Sequence, residues 1–165
     1  MKSIILVRHA KSSWEDMSMD DRDRPLNDRG KRDAPMMAER LLERKLEIDA
    51  FISSPAKRAR KTAEIFAKAF DQGKKDVEIV EELYEAGEQD FNSVIAGLPD
   101  KFKIVIIFSH NPGITEFANS LTSTRIDNIP TSGMFAVKAE AHDWKSFAPA
   151  SKQLLFFDYP KNALD

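Results

Sequence analysis

From Ile104 to Phe108 the chain runs Ile-Val-Ile-Ile-Phe without a polar residue, and this run constrains the fold more than any other feature. A strand that alternates apolar and polar residues can leave one face in water, but an unbroken apolar run needs cover on both faces. Short β-rich runs at Ser3 to Val7, Asp49 to Ser53, Val77 to Val80, Met134 to Ala139 and Gln153 to Phe157 alternate with longer segments of helical apolar period. The implied architecture is α/β, three αβα layers around a mostly parallel sheet in which Lys103 to Phe108 is central.

The helices carry their own signals. Asn27 can cap a helix whose apolar positions are Ala34, Met37, Ala38, Leu41 and Leu42, with Pro35 marking a kink or the true start. Ser54-Pro55 reads as an N-cap with proline at the first helical position, followed by Ala59, Ala63, Phe66, Ala67 and Phe70 on one face. A short helix is expected from Phe91 to Leu98, ended by Pro99. Pro112 opens another with Ile114, Phe117, Ala118 and Leu121 inward. No repeat or linker interrupts the pattern, so 1–165 reads as one domain, long enough to bury roughly two thirds of its unfolded surface.

Charge and residue usage exclude several classes of function. The chain has 25 basic and 27 acidic residues, a net charge of -2, so nucleic-acid binding is not expected. With no cysteine there is no disulfide framework, thiolate nucleophile or cysteine-ligated metal. The apolar opening is stopped by Arg8 and His9, and no later run approaches the roughly eighteen residues of a membrane span. A soluble, cytoplasmic protein without a membrane partner is the expectation, and a monomer, since the strands leave no obvious exposed apolar patch.

Polar residues collect where open α/β sheets bind ligands, at or just after the carboxyl ends of strands. Arg8-His9 follows the first strand, Arg58 the second, and His110 the fourth. Helix starts after Ser54-Pro55 and Asn111-Pro112 would point amide hydrogens to the same place. Two guanidinium groups and two imidazoles form an anion pocket, and arginine suits a phosphoryl group because its planar fork donates paired hydrogen bonds. Asn111, Lys11, Ser12 and Ser13 are further candidate donors, although such residues are also ordinary in turns. His142 lacks this placement and reads as a surface histidine. The run Asp20-Asp21-Arg22-Asp23-Arg24 does not match calcium-loop spacing and reads as a solvated loop beside the pocket, with Trp14 over its edge.

Leu6-Val7-Arg8-His9-Ala10 resembles the Arg-His-Gly signature of the histidine phosphatase superfamily, whose fold is phosphoglycerate mutase-like. Ser53-Ser54-Pro55 through Arg58-Ala59 and Thr62-Ala63 resembles its second-arginine motif, and Phe108-Ser109-His110 the strand bearing the second histidine. Arg24-Pro25-Leu26-Asn27 with Gly30, and Thr131-Ser132-Gly133, follow the order of SixA-type phosphohistidine phosphatases. The similarity runs from Lys2 to about Val137. Ala10 stands where glycine is usual, which is tolerable unless the position demands a positive φ angle.

The resemblance implies a phosphohistidine formed on His9 and hydrolysed by water, without metal or other cofactor. Arg8, Arg58 and a protonated His110 would bind the phosphoryl oxygens. His9 would keep its other ring proton by donating to a backbone carbonyl, and the neighbouring arginines would lower its pKa. Leu83-Tyr84-Glu85 resembles the segment that supplies a catalytic acid in broad phosphatases, so Glu85 is open between proton donor and a solvated glutamate in an acidic loop with Glu81, Glu82 and Glu88. The implied partner is a phosphorylated protein, such as a histidine-containing phosphotransfer domain, or a small phosphorylated molecule. The absence of a long insertion leaves an open pocket in this reading. Two alternatives remain: a general small-molecule phosphomonoesterase or mutase, and a non-catalytic phosphate-recognition module.

Overall fold

The computed structural model describes residues 1–162. Strands β1 (Lys2–Arg8), β2 (Ala50–Ser53), β3 (Val77–Ile79), β4 (Ile104–Ser109), β5 (Met134–Ala139) and β6 (Lys152–Asp158) form one sheet in the order β3-β2-β4-β1-β5-β6. The pairs β3-β2, β2-β4 and β4-β1 are parallel, and β5 and β6 continue the sheet antiparallel. The apolar run 104–108 therefore lies at the middle of the parallel part, as its uninterrupted character requires.

Helices α1 (Asp28–Glu43), α2 (Lys57–Ala69), α3 (Glu88–Ala96) and α4 (Gly113–Leu121) cover the two faces. Side chains alternate along β1, so Ile4 and Leu6 enter one apolar cluster with α3 and α4, while Ile5 and Val7 enter another with α1 and α2. Both clusters draw on β4, through Val105 and Ile107 on one side and Ile106 and Phe108 on the other. No helix among the described residues is long and apolar enough to cross a membrane.

Helix starts are where local reading and structure part. Asn27 caps α1 as expected, accepting from Gly30 N at 2.9 Å. Pro35 neither starts nor ends that helix but lies within it, exposed. Leu42 is 38% exposed and off the core face, because Leu41 already fills the inward position of that turn. α2 begins at Lys57, two residues beyond the proline, because Ser54 turns its hydroxyl inward and accepts from Ala56 N at 3.3 Å. α3 begins three residues earlier than Phe91, where Asp90 accepts from Gly87 N at 2.8 Å.

Register then fixes the functional edge. Arg8 pairs with Ser109 across β1-β4, and Ser53 with Phe108 across β2-β4. Three adjacent parallel strands thus end level, and the residues after them, His9, Ser54 and His110, emerge side by side.

Candidate active site

Backbone hydrogen bonds hold the three emerging segments together. His9 N donates to Ser109 O at 3.1 Å and Ser54 N to Phe108 O at 3.0 Å. The loop after β1 is then clamped from α2, where Thr62 Oγ1 accepts from Ala10 N at 2.9 Å and donates to Arg58 O at 2.7 Å. From α1, Gly30 packs against Lys11 O so closely that a Cβ would collide with it. Ala10 is fully buried and is absent from the residues with positive φ, so the usual glycine's conformational freedom is not needed there.

These clamps bring Arg8, His9, Arg58 and His110 into one cluster. The two imidazole centroids are 5.2 Å apart, and each histidine is only 8% exposed. His9 Nδ1 lies 2.7 Å from Ala10 O. A carbonyl can only accept, so Nδ1 carries the proton and Nε2 keeps an unshared pair, the form a nucleophilic imidazole needs. Burial pushes the His9 pKa well below 6.5, with His110, Arg58 and Arg8 adding to the effect against the Ala10 hydrogen bond. The arginines are therefore a secondary cause, and desolvation of the ring is the main one.

His110 is likewise neutral rather than protonated, because burial, reinforced by Arg58, pushes its pKa down to about 3. Its Nε2 is 2.7 Å from Ser54 Oγ. Ser54 Oγ accepts from Ala56 N and has its hydroxyl proton available for Nε2; in the tautomer that uses it, the ring proton of His110 resides on Nδ1.

Among the described residues, the buried side-chain nitrogens and oxygens without a protein partner are Arg8 Nε, Arg58 Nε, His110 Nδ1 and Ser132 Oγ. Buried polar groups are paired in the great majority of cases. Here three unused donors belong to the cluster anticipated from sequence, and the fourth residue is bonded to it. Ser132 N donates to Arg8 O at 3.0 Å and His9 O at 3.2 Å, with Ser132 itself in the left-handed region at φ 62°. The rest of Arg8 is fixed by Ile129 O, which accepts from Nη1 at 3.0 Å.

An outer layer unforeseen as part of the site surrounds Arg58. The segment Asp21–Asp23 forms a 3-10 turn over the cluster. Arg58 Nη1 donates to Asp21 O at 2.6 Å and Nη2 to Asp21 Oδ2 at 3.0 Å, leaving the Nε edge of the guanidinium free. Asp21 also accepts from Tyr84 Oη at 2.5 Å and Arg24 Nε at 3.2 Å. These donors hold its carboxyl well below the ordinary carboxylate range despite some desolvation. Tyr84 stands edge-on to His110 at 5.6 Å, positioned by Ser109 Oγ donating to Leu83 O at 2.7 Å. The mouth is therefore roofed in part by a short turn, and Arg24, 7% exposed beneath Trp14, is no member of a solvated loop.

The remaining candidates are placed differently. Ser12 Oγ accepts from Arg24 Nη1 at 2.6 Å. Asn111 donates to Asn128 and accepts from Thr115 Oγ1 at 2.6 Å, so its amide secures the 128–129 segment to α4. Glu85 is exposed, at φ 56°, with its charge acting on Arg22 and Tyr84. His142 is exposed.

Known proteins share this arrangement of chain. The family model for the histidine phosphatase superfamily (branch 1) matches residues 4–103. An uncharacterized protein of Mycobacterium leprae is 30% identical over 167 residues, covering 94% of this chain and 100% of that protein. A solved structure from Agrobacterium tumefaciens, described as a candidate SixA phosphohistidine phosphatase, superposes with a TM-score of 0.81 at 25% identity, covering 96% of this chain and 98% of that one. A SixA protein histidine phosphatase complexed with tungstate gives 0.81 at 20% identity over 96% and 97% of the two chains, a likeness of fold. Because the matched region exceeds half its length, the chain belongs to the histidine phosphatase superfamily.

Proposed function

We propose that this protein is a protein phosphohistidine phosphatase that works through a phosphohistidine on His9. The observation that carries the proposal is the state of His9. Its Nδ1–H is tied to Ala10 O, which aims an unprotonated Nε2 into a cluster of unused Arg8, Arg58 and His110 donors.

In the first step Nε2 attacks phosphorus in line with the leaving group. The N–P bond forms as the bond to the leaving atom breaks, and that atom keeps the electron pair; when it belongs to a protonated imidazole of the substrate it departs as neutral imidazole and needs no further proton. Arg8 Nε–H, the Nε edge of Arg58 and His110 Nδ1–H bind the phosphoryl oxygens, whose charge they stabilise most in the transition state. His110 serves as a neutral donor, and the incoming anion offsets part of the burial that keeps its pKa low. In the second step water attacks phosphorus, the N–P bond breaks, its pair returns to His9, and inorganic phosphate leaves. No step calls for a metal.

Leaving-group chemistry favours phosphohistidine as substrate. A protonated imidazole leaves readily, whereas an alkoxide needs a strong acid beside it. Glu85 is the residue available for that task, yet it lies exposed on the rim rather than within the cluster. The likeness to the Agrobacterium protein supports the same choice. Glu85's position next to Tyr84, which abuts His110, is the one observation that favours the second reading, a small-molecule phosphomonoesterase.

Steady-state hydrolysis of a phosphorylated histidine-containing phosphotransfer domain, beside p-nitrophenyl phosphate and with EDTA present, tests the proposal. Rapid, His9-dependent loss of phosphohistidine with slow ester turnover is expected. The reverse preference would select the phosphomonoesterase, and turnover by His9→Ala would end both.

A further inference from the structure

The first turn of α2 delivers Arg58 to the phosphate cluster, and the same helix presents a second, outward face. Lys57, Lys61, Ile65 and Lys68 recur along it at helical spacing, while Ala59, Ala63, Phe66 and Ala67 face the core. Across from this face stand Lys31 at the start of α1 and the Pro25-Leu26 segment, and between them runs a groove of about 430 Å³.

The groove floor is apolar. Leu26, 6% exposed, belongs to a small cluster with Ala10 and Ala34, against which Ile65 packs. Ala10 directly follows His9, so the floor is one side chain away from the loop that carries the reactive imidazole. The groove runs along α2, and its lining residues Lys57 and Pro25 are chain neighbours of Arg58 and Arg24.

Its rim is cationic. Glu64 also lines the groove and meets Lys61 at 3.4 Å, while the other three lining lysines, Lys31, Lys57 and Lys68, make no ion pair with a carboxylate among the described residues. The chain as a whole has a net charge of -2, so this is a local concentration rather than the consequence of a basic protein. An apolar floor bordered by unpaired lysines complements a segment with an apolar ridge flanked by carboxylates. A small phosphate ester is too short to occupy both the cluster and the groove, whereas a polypeptide continuing from a phosphorylated side chain is long enough.

Resting on the reading above, we propose that this groove docks an acidic amphipathic segment of the phosphoprotein substrate, next to the residue that carries the phosphoryl group. The groove lysines are not among the residues of the phosphate cluster, so they act on association and KM and leave the chemical step alone.

Two synthetic phosphohistidine peptides that differ only in the flank test the inference, one with Glu and Leu at helical spacing and the other with Lys and Leu. Wild type should favour the acidic flank by about tenfold in kcat/KM at low salt, and the preference should shrink as added salt shortens the screening length. In K61E/K68E the preference should vanish through KM while turnover of p-nitrophenyl phosphate is kept, which also shows that the variant is folded. K74E/K75E, with the same charge change on the turn beyond α2, should behave as wild type.

Fluorescence anisotropy of the unphosphorylated acidic peptide gives a readout independent of catalysis, and its affinity should fall about tenfold in K61E/K68E. Equal binding by the two proteins, or equal kcat/KM for the two flanks, would overturn the docking role. A wild-type dimer that K61E/K68E dissociates would overturn it too, making the occupant a second copy. Ester turnover without hydrolysis of either peptide would instead overturn the phosphohistidine reading, and anisotropy would then decide the groove by itself.

Discussion

Lowering the pH from 7 to 5 perturbs the site through its histidines without altering a residue. An unfolded histidine titrates near 6.5, whereas in the fold burial and Arg58 push His110 down to about 3. Between those values the unfolded chain takes up a proton that the folded chain refuses, so stability is lost as the pH falls. At pH 5, one and a half units below the unfolded value, the loss from His110 is about 2 kcal/mol. His9, also held well below 6.5, adds a loss of the same sign. Asp21 contributes nothing yet, since a carboxylate held low loses its contribution only below its unfolded value of 3.8. Urea unfolding followed by circular dichroism at pH 7, 6 and 5 measures this for wild type and His110→Gln, which retains a donor but does not titrate. Wild type should lose about 2 kcal/mol more than the variant over the interval. Identical pH slopes would show that His110 titrates normally, and the neutral, desolvated ring assigned to it would be wrong.

Three further outcomes follow from the geometry. Arg58→Ala should lower kcat/KM by about 10²- to 10³-fold, as expected for removing a preorganised donor to the transferring phosphoryl group; a loss below tenfold in steady-state kinetics would place Arg58 outside the chemistry. Glu85→Gln should leave phosphohistidine hydrolysis within about twofold while slowing alkyl phosphate hydrolysis more, and equal losses on the two substrates would remove the leaving-group distinction. Gly30→Ala should cost at least about 2 kcal/mol in urea unfolding, because its Cβ meets Lys11 O in the loop that carries His9; an unchanged midpoint would mean that this loop yields easily.

Much of the candidate site's layout was legible because its four central residues end or follow strands that apolar patterning could place. Arg8, His9 and His110 abut the runs of β1 and β4, and parallel pairing brings such ends level without any further information. The outer layer was not legible for a physical reason. Asp21 reaches Arg58 and Tyr84 across sequence separations of 37 and 63, and no local period reports such contacts. Within Asp20 to Arg24 charge alone argued for solvent, while the structure divides the run between an exposed Asp21 and a buried Arg24. Ser132 was visible only as part of the Thr131-Ser132-Gly133 resemblance, and its place in the cluster was not, since it depends on a left-handed backbone and on tertiary bonds to Arg8 and His9. The depth at which His110 is buried, which lowers its pKa in the free protein, had no local signal in the sequence.

The most direct test is to trap the covalent intermediate. Wild-type protein is mixed with phosphorylated substrate, quenched in base within milliseconds to preserve phosphohistidine, digested and read by mass spectrometry. The account predicts a phosphoryl group on the peptide containing His9 during turnover, lost on treatment with acid and absent from His9→Ala. Turnover without a phosphorylated His9, or phosphate found on His110 instead, would contradict it.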